Sequence, residues 1–181
     1  MFRCRKSRAC SMSLAEELLV QARFLASLDP HNPVQANLRR AVSSAYYGVF
    51  HLFSAEVAAQ FISSGPSGLR KRTQRAMNHN SMYRAAESFS QPGTRPRNLP
   101  MDIDLAGPIY AALISIAKGF KLLQDERHTA DYDVSRSFDR IEVLALVKTA
   151  EDIFTDWSQE KRSGNASVFL ASLMFWQLWN K

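Results

Sequence analysis

One stretch of this sequence, residues 38–53, constrains the fold more than any other. Its apolar side chains recur at steps of three and four residues, which is the spacing of one face of an α-helix. These apolar residues are Leu38, Val42, Ala45, Val49 and Leu52. The same stretch carries a polar face that spans about 60° of the helix, and its first and last members lie about 20° apart because eleven residues make almost three helical turns. The polar residues are Arg40, Ser44, Tyr47 and His51.

This arrangement predicts a helix with a core side and a polar side, and the polar side has two interpretations. In the first, its groups are surface residues or are satisfied by partners inside a helical bundle. In the second, they form one wall of a binding cleft. The second interpretation requires another segment of the chain that supplies the opposite wall.

Composition favours a single, largely helical domain. The chain of 181 residues is 46% hydrophobic and 22% charged, as in soluble globular proteins with a sizeable core. It has only seven Gly and seven Pro, and no stretch shows the alternating pattern of a β-strand. Both cysteines, Cys4 and Cys10, lie near the start, without the pair spacing of a zinc site. We therefore expect no disulfide framework, no metal, no cofactor, and a location in the reducing cytoplasm.

The formal net charge of +6 is distributed unevenly. Residues 1–12 carry +4 and are not followed by the apolar segment of a secretory signal, so we interpret them as a disordered leader or a mis-assigned start. Residues 70–97 carry a further +6, which leaves −4 on the rest of the chain. A basic segment on a mildly acidic body indicates an anionic partner, most commonly nucleic acid, or else a solubilising loop.

Helical periodicity and turn residues predict an all-α bundle of four to five main helices over residues 13–162. The predicted helices cover residues 14–28, 34–62, 104–126 and 138–161, with a short one from about 78 or 80 to 89. Residues 63–100 are otherwise a basic, loop-rich insert, and residues 127–137 are a polar connector. Residues 163–181 form an extra C-terminal helix that is apolar almost all round. It is too short to span a bilayer, so we expect its own domain or a subunit to cover it.

The polar segment after the predicted helix over residues 104–126 holds the strongest candidates for chemistry. There Arg127 is followed by His128, Asp131 and Tyr132. An arginine beside a histidine or tyrosine is a minimal set for cleaving RNA without a metal. The guanidinium holds a phosphate while the other group moves a proton to or from the ribose 2′-hydroxyl. The alternative is a structural clasp, in which Arg127 pairs with Asp131 and the tyrosine hydroxyl reaches the long helix.

Two motifs together resemble the HEPN superfamily. They are Arg-Arg-Ala-Val-Ser-Ser-Ala-Tyr-Tyr-Gly-Val-Phe-His at 39–51 and Arg-His-Thr-Ala-Asp-Tyr-Asp at 127–133, and the Asn-His-Asn at 78–80 is similar to the same branch of small prokaryotic proteins. The resemblance implies an up-and-down helical bundle that is often dimeric. It also implies a toxin–antitoxin or other defence module, metal-independent ribonuclease activity in many members, and frequent pairing with a minimal nucleotidyltransferase.

The resemblance also assigns roles to residues. Active members place a histidine four to six residues after an arginine that matches Arg127, whereas this chain has Tyr132 five residues on and His128 next to the arginine. Arg127 would then hold phosphate, and Tyr132 or His128 would carry the proton. RNA or a nucleotide would bind in a cleft whose remaining lining is Arg40, Tyr47, His51, His79 and Asp131. A non-catalytic partner of a nucleotidyltransferase and a structural helical adaptor are the alternatives.

Overall fold

A computed structural model describes residues 12–93 and 95–180, which form seven α-helices and no strand. The helices are α1 (Leu14–Ser27), α2 (Gln35–Phe61), α3 (Ser67–Arg75), α4 (His79–Phe89), α5 (Ala111–Tyr132), α6 (Arg140–Glu160) and α7 (Gly164–Trp179). The prediction of an all-α bundle is confirmed for this part of the chain. The expectation for residues 1–12 concerns a leader that, apart from Met12, lies outside the described residues.

Polar side chains fix where several helices begin. Ser13 and Glu16 form a capping box at the start of α1, and Asn78 caps α4 by accepting a hydrogen bond from the Ser81 amide. Asp139 caps α6 in the same way. These caps satisfy backbone N–H groups that have no partner inside the helix. The bounds of α1, α2, α4 and α6 accordingly fall close to those predicted from the sequence.

The bounds of α5 differ from the prediction at both ends. The helix begins at Ala111 rather than near residue 104, because Pro108 disfavours helical backbone before it and Gly107 adopts a positive φ of 102°. At the other end it continues to Tyr132, so the predicted connector of residues 127–137 is wrong in its first six residues. Those polar residues remain helical because their side chains contact α2, as described below.

The sequence did not predict α3, which lies inside the segment expected to be loop-rich. It has no apolar stripe, since its sequence is Ser-Gly-Leu-Arg-Lys-Arg-Thr-Gln-Arg. It is attached through Arg70, whose Nε donates to the Ile62 carbonyl at 2.8 Å and whose Nη2 donates to the Ser63 carbonyl at 2.8 Å. A cation that binds the last carbonyls of α2 stabilises the end of that helix.

The core is built around α2, which packs against α1, α3, α5, α6 and α7. Phe53, at its centre, is fully buried. Its ring meets three other aromatic rings, each from a different helix, at centroid distances of 5.7, 5.3 and 5.6 Å. These rings belong to Phe120 of α5, Trp157 of α6 and Phe169 of α7. One side chain of α2 therefore joins four helices.

The apolar C-terminal helix is covered on one face by its own domain, as predicted. It packs against α4 and α2 and buries Phe169 and Trp176. At its start the Asn165 amide binds the loop before α5, accepting from the Ala106 N–H at 2.8 Å. Its opposite face stays open, with Leu178 60% exposed. Among the described residues, no helix combines the length and the apolar character needed to cross a membrane.

Replacing Phe53 with Ala should lower the free energy of unfolding by about 3–5 kcal/mol, because it leaves a cavity between four helices. Urea denaturation followed by tryptophan fluorescence measures the loss. Phe24→Ala is the matched control, since Phe24 is 61% exposed, and should change stability by less than about 0.5 kcal/mol. Equal losses in the two variants would contradict this account of the core.

Candidate functional site

The polar face of α2 does not form one continuous wall. Ser44 faces α1 and donates a hydrogen bond to the Gln21 Oε1 at 2.9 Å. The backbone of α1 comes closest at Gly48, where a Cβ would lie only 3.2 Å from the Ala15 carbonyl oxygen. Tyr47, by contrast, faces α5. The packing of α1 therefore separates residues that share one helical stripe.

Arg127 of α5 is held against α2 by two partners. Its Nη2 donates to the Tyr47 hydroxyl at 2.7 Å, and the guanidinium carbon lies 5.4 Å from the centre of the Tyr47 ring. Its Nε lies 2.8 Å from the Asp131 carboxylate, an ion pair rather than an aligned hydrogen bond. Asp131 in turn accepts a hydrogen bond from the buried Ser43 hydroxyl at 2.6 Å. The Arg127 and Asp131 side chains are each only about 20% exposed.

His79 is held next to this arginine by a second set of contacts. Its ring stacks on Phe50 at a centroid distance of 4.2 Å, and its Nδ1 lies 2.6 Å from the Tyr46 hydroxyl. Tyr46 also reaches the Gln124 Oε1 at 3.3 Å. The Gln124 amide is oriented because its Nε2 donates to the His79 carbonyl at 3.1 Å. The Tyr47 ring lies edge-on to His79, with centroids 6.1 Å apart.

This arrangement lets His79 both accept and donate a proton at Nε2. When Tyr46 donates to Gln124, its oxygen accepts from the histidine Nδ1–H, and the Nε2 lone pair is free. When Tyr46 donates to Nδ1, His79 carries its proton on Nε2. Burial of part of the ring, with the charge of Arg127 and nearby His51, lowers the pKa of His79 below its usual 6.5. Burial raises the pKa of Tyr46, so it remains a protonated phenol.

An open depression of about 210 Å³ lies in front of Arg127. Its other lining residues are Asn80, Tyr83, Gln124, Asp125 and His128. The carboxylate of Asp125 is paired with the Lys121 ammonium at 3.1 Å, whereas Arg127 is paired with Asp131. The depression is smaller than the roughly 300 Å³ at which drug-sized sites begin, so it suits a phosphate group or a single base.

The structure brings together Tyr47, His79, Arg127 and Asp131 among the predicted site residues. Tyr132 and His128 lie on the rim, with ring centroids 4.9 Å apart. The Tyr132 side chain is 64% exposed, and its ring lies 5.6 Å from the guanidinium carbon of Arg127. These six residues come from α2, α4 and α5.

Two of the predicted residues do not join this cluster. Arg40 is exposed, and it is its neighbour Arg39 that contacts α5. His51 lines a separate groove between α1, α2 and α3. The helical period identified a common face for Arg40, Tyr47 and His51, but α1 and α5 cover different parts of that face.

Sequence reasoning also missed four residues that position the site. Gln124 and Tyr46 orient His79, Ser43 binds Asp131, and Arg39 donates to the Ala130 carbonyl at 2.7 Å and the Asp133 carbonyl at 2.9 Å. The sequence shows Arg39, Ser43 and Tyr46 as members of three pairs of like residues on the long helix. Only the packing of α4 and α5 shows which member of each pair faces the site.

Comparisons of the chain with protein-family models, curated proteins and solved structures find no match. Within residues 12–93 and 95–180, no three His, Cys, Asp or Glu side chains converge as metal ligands do.

Replacing Arg39 with Ala should destabilise the end of α5, since its guanidinium binds carbonyls there. We expect the free energy of unfolding to fall by about 1–3 kcal/mol, measured by urea denaturation, with faster amide exchange over residues 130–137. The control is Arg40→Ala, which removes the same charge from an exposed neighbour. Equal effects of the two variants would contradict the assignment of Arg39.

The lowered pKa of His79 predicts a pH dependence of stability. The unfolded chain takes up the proton first, near pH 6.5, so stability is fully present above that value and is lost as pH falls through the lower pKa of the folded state. His79→Gln should lose less stability than the wild type when urea denaturation at about pH 7.5 is compared with about pH 5. A constant difference between the two proteins at every pH would refute the prediction.

Proposed function

We propose that this chain is a HEPN-type protein that binds the phosphates of RNA at Arg127 and cleaves RNA without a metal ion. The observation that carries the proposal is the position of Arg127 beside an oriented imidazole. Tyr47 contacts both groups, since it accepts a hydrogen bond from Arg127 and meets the His79 ring edge-on. A fixed cation that borders a phosphate-sized depression, and an imidazole that contacts the same tyrosine, are the groups that this reaction needs.

In the proposed reaction Arg127 holds the phosphate whose P–O5′ bond is cleaved. His79 removes the proton of the ribose 2′-hydroxyl, and the resulting O2′–P bond forms as the P–O5′ bond breaks. The leaving oxygen takes a proton from His128 or Tyr132 on the rim, and the products are a 2′,3′-cyclic phosphate and a 5′-hydroxyl. Preorganised contacts of this kind raise the rate because they require no rearrangement during the reaction.

This assignment differs from the sequence-based expectation in the residue that removes the proton. Tyr132 and His128 were expected to carry the proton, because they follow Arg127 in the chain. His79 is the better base because its ring is stacked on Phe50 and its Nδ1 is tied to Tyr46, which fixes the direction of Nε2. Tyr132 and His128 remain at the rim of the site, where either can supply the proton for the leaving oxygen.

The resemblance in the two motifs supports the cellular setting of the proposal. The proposed setting is a homodimer in a toxin–antitoxin or defence module, in the cytoplasm that cysteine usage favours. The second candidate function is a non-catalytic, nucleotide-binding partner of a minimal nucleotidyltransferase. One observation favours it, namely that Arg127 is about 20% exposed and already carries two protein partners.

Purified protein should cleave single-stranded RNA in the presence of EDTA. Arg127→Ala should lower the rate at least about 100-fold, because it removes the charge that stabilises the phosphate. His79→Gln should lower it about 100-fold to 10,000-fold, since the base is lost. Gel separation of labelled RNA measures both rates.

The matched control for this assay is Arg40→Ala, which should leave the rate unchanged because Arg40 lies outside the cluster. Activity that survives Arg127→Ala would eliminate this site. Protein that is inert toward RNA yet co-purifies with a nucleotidyltransferase would favour the second candidate function.

A further inference from the structure

The basic character of α3 has no role in the site described above. The chain contains no acidic residue between Glu56 and Glu87, and α3 carries four cations within nine residues. They are Arg70, Lys71, Arg72 and Arg75. Among the described residues, Arg70 binds the end of α2, while the other three form no ion pair.

The cations sit on an ordered surface because α3 is fixed at two points. Arg70 attaches its start to the last carbonyls of α2. Thr73, on the next turn, is buried at 9% exposure and donates to the Leu69 carbonyl at 3.1 Å. Lys71 and Arg75 are exposed to solvent, and both border a hollow beside α2.

Lys71 and Arg75 line a groove together with His51 and Phe50 of α2. The two cations are four residues apart, so they lie on one side of α3. The groove encloses about 360 Å³. It adjoins a second hollow of about 580 Å³ between α1 and α2, which also borders on His51. A groove that brings cations next to a histidine ring is compatible with single-stranded nucleic acid, whose phosphates and bases these groups bind.

This groove is separate from the depression in front of Arg127, but residues of α2 border on both regions. Tyr47, which holds Arg127, and His51, which lies in the groove, are one turn apart, about 6 Å along the helix. Phe50 belongs to both places, because its ring stacks on His79 at 4.2 Å and lies 5.5 Å from the ring of His51. Phe50 thus links His79 of the Arg127 site to His51 of the groove.

We propose that a single strand of RNA bound at Arg127 extends along α2 into this groove, where Lys71 and Arg75 hold its phosphates and His51 meets an unpaired base. The inference rests on the proposed function and adds a second contact region to it. It makes RNA length a determinant of affinity, since a strand that contacts both regions needs more nucleotides than one bound at Arg127 alone. It also assigns a role to the basic segment that lies outside the HEPN-like motifs.

The test compares a twelve-nucleotide single-stranded RNA with a dinucleotide, both non-cleavable through a 2′-O-methyl group, by fluorescence anisotropy. Lys71→Gln with Arg75→Gln should weaken binding of the longer RNA at least about tenfold at low salt and leave the dinucleotide unaffected. The slope of log affinity against log salt should fall by about 1.4, because two phosphate contacts are lost. Both residues are exposed, so the double variant should fold normally, as circular dichroism will check.

The matched control is Lys118→Gln with Arg162→Gln, which removes two charges from exposed positions elsewhere and should keep wild-type affinity. Equal losses in the two double variants would overturn the inference, since only net charge would then matter. If Arg127→Ala weakens binding of both RNAs and the α3 variant weakens neither, the inference fails while the proposed function stands. If the wild type binds neither RNA, both fail. The same assay with a labelled acidic peptide adds one more outcome. If the α3 variant binds that peptide more weakly than the wild type but binds RNA equally well, the inference is also overturned.

Discussion

The rest of the structure depends on the burial of polar groups on α2. Because other helices cover this helix on most sides, each of its buried polar side chains needs a hydrogen-bond partner from a neighbour. Ser44 donates a hydrogen bond to Gln21 of α1, and Ser43 donates one to Asp131 of α5. Tyr46 forms a hydrogen bond with His79 of α4. Apolar packing brings the helices together, and these polar pairs fix their register.

The candidate site arises where those pairs lie closest together. Asp131 is held by Ser43 and in turn holds Arg127, while Tyr46 and Gln124 orient His79. The side chains that would do chemistry are therefore positioned by residues that the fold already requires. In this way the fold holds the Arg127 guanidinium and the His79 imidazole next to each other. The described residues contain no converging cluster of metal ligands.

The helical period predicted α1, α2, α4 and α6 and the two faces of α2, because burial of apolar side chains follows that period directly. It could not predict which neighbour covers which part of a face. For this reason Arg40 was chosen in place of Arg39, and His51 was placed beside Tyr47 although it faces another groove. The late end of α5 was missed because its last turn is polar and is stabilised by contacts distant in sequence, such as Arg127 with Tyr47.

The central claim, that Arg127 and His79 share one phosphate site, is tested most directly by ¹⁵N NMR of the His79 imidazole during titration with a nucleoside 3′-monophosphate. A phosphate held at Arg127 places negative charge beside the ring, which favours its protonated form. The account predicts that the nucleotide raises the pKa of His79 in the wild type and leaves it unchanged in Arg127→Gln. A His79 pKa that the nucleotide does not alter in the wild type would contradict the account.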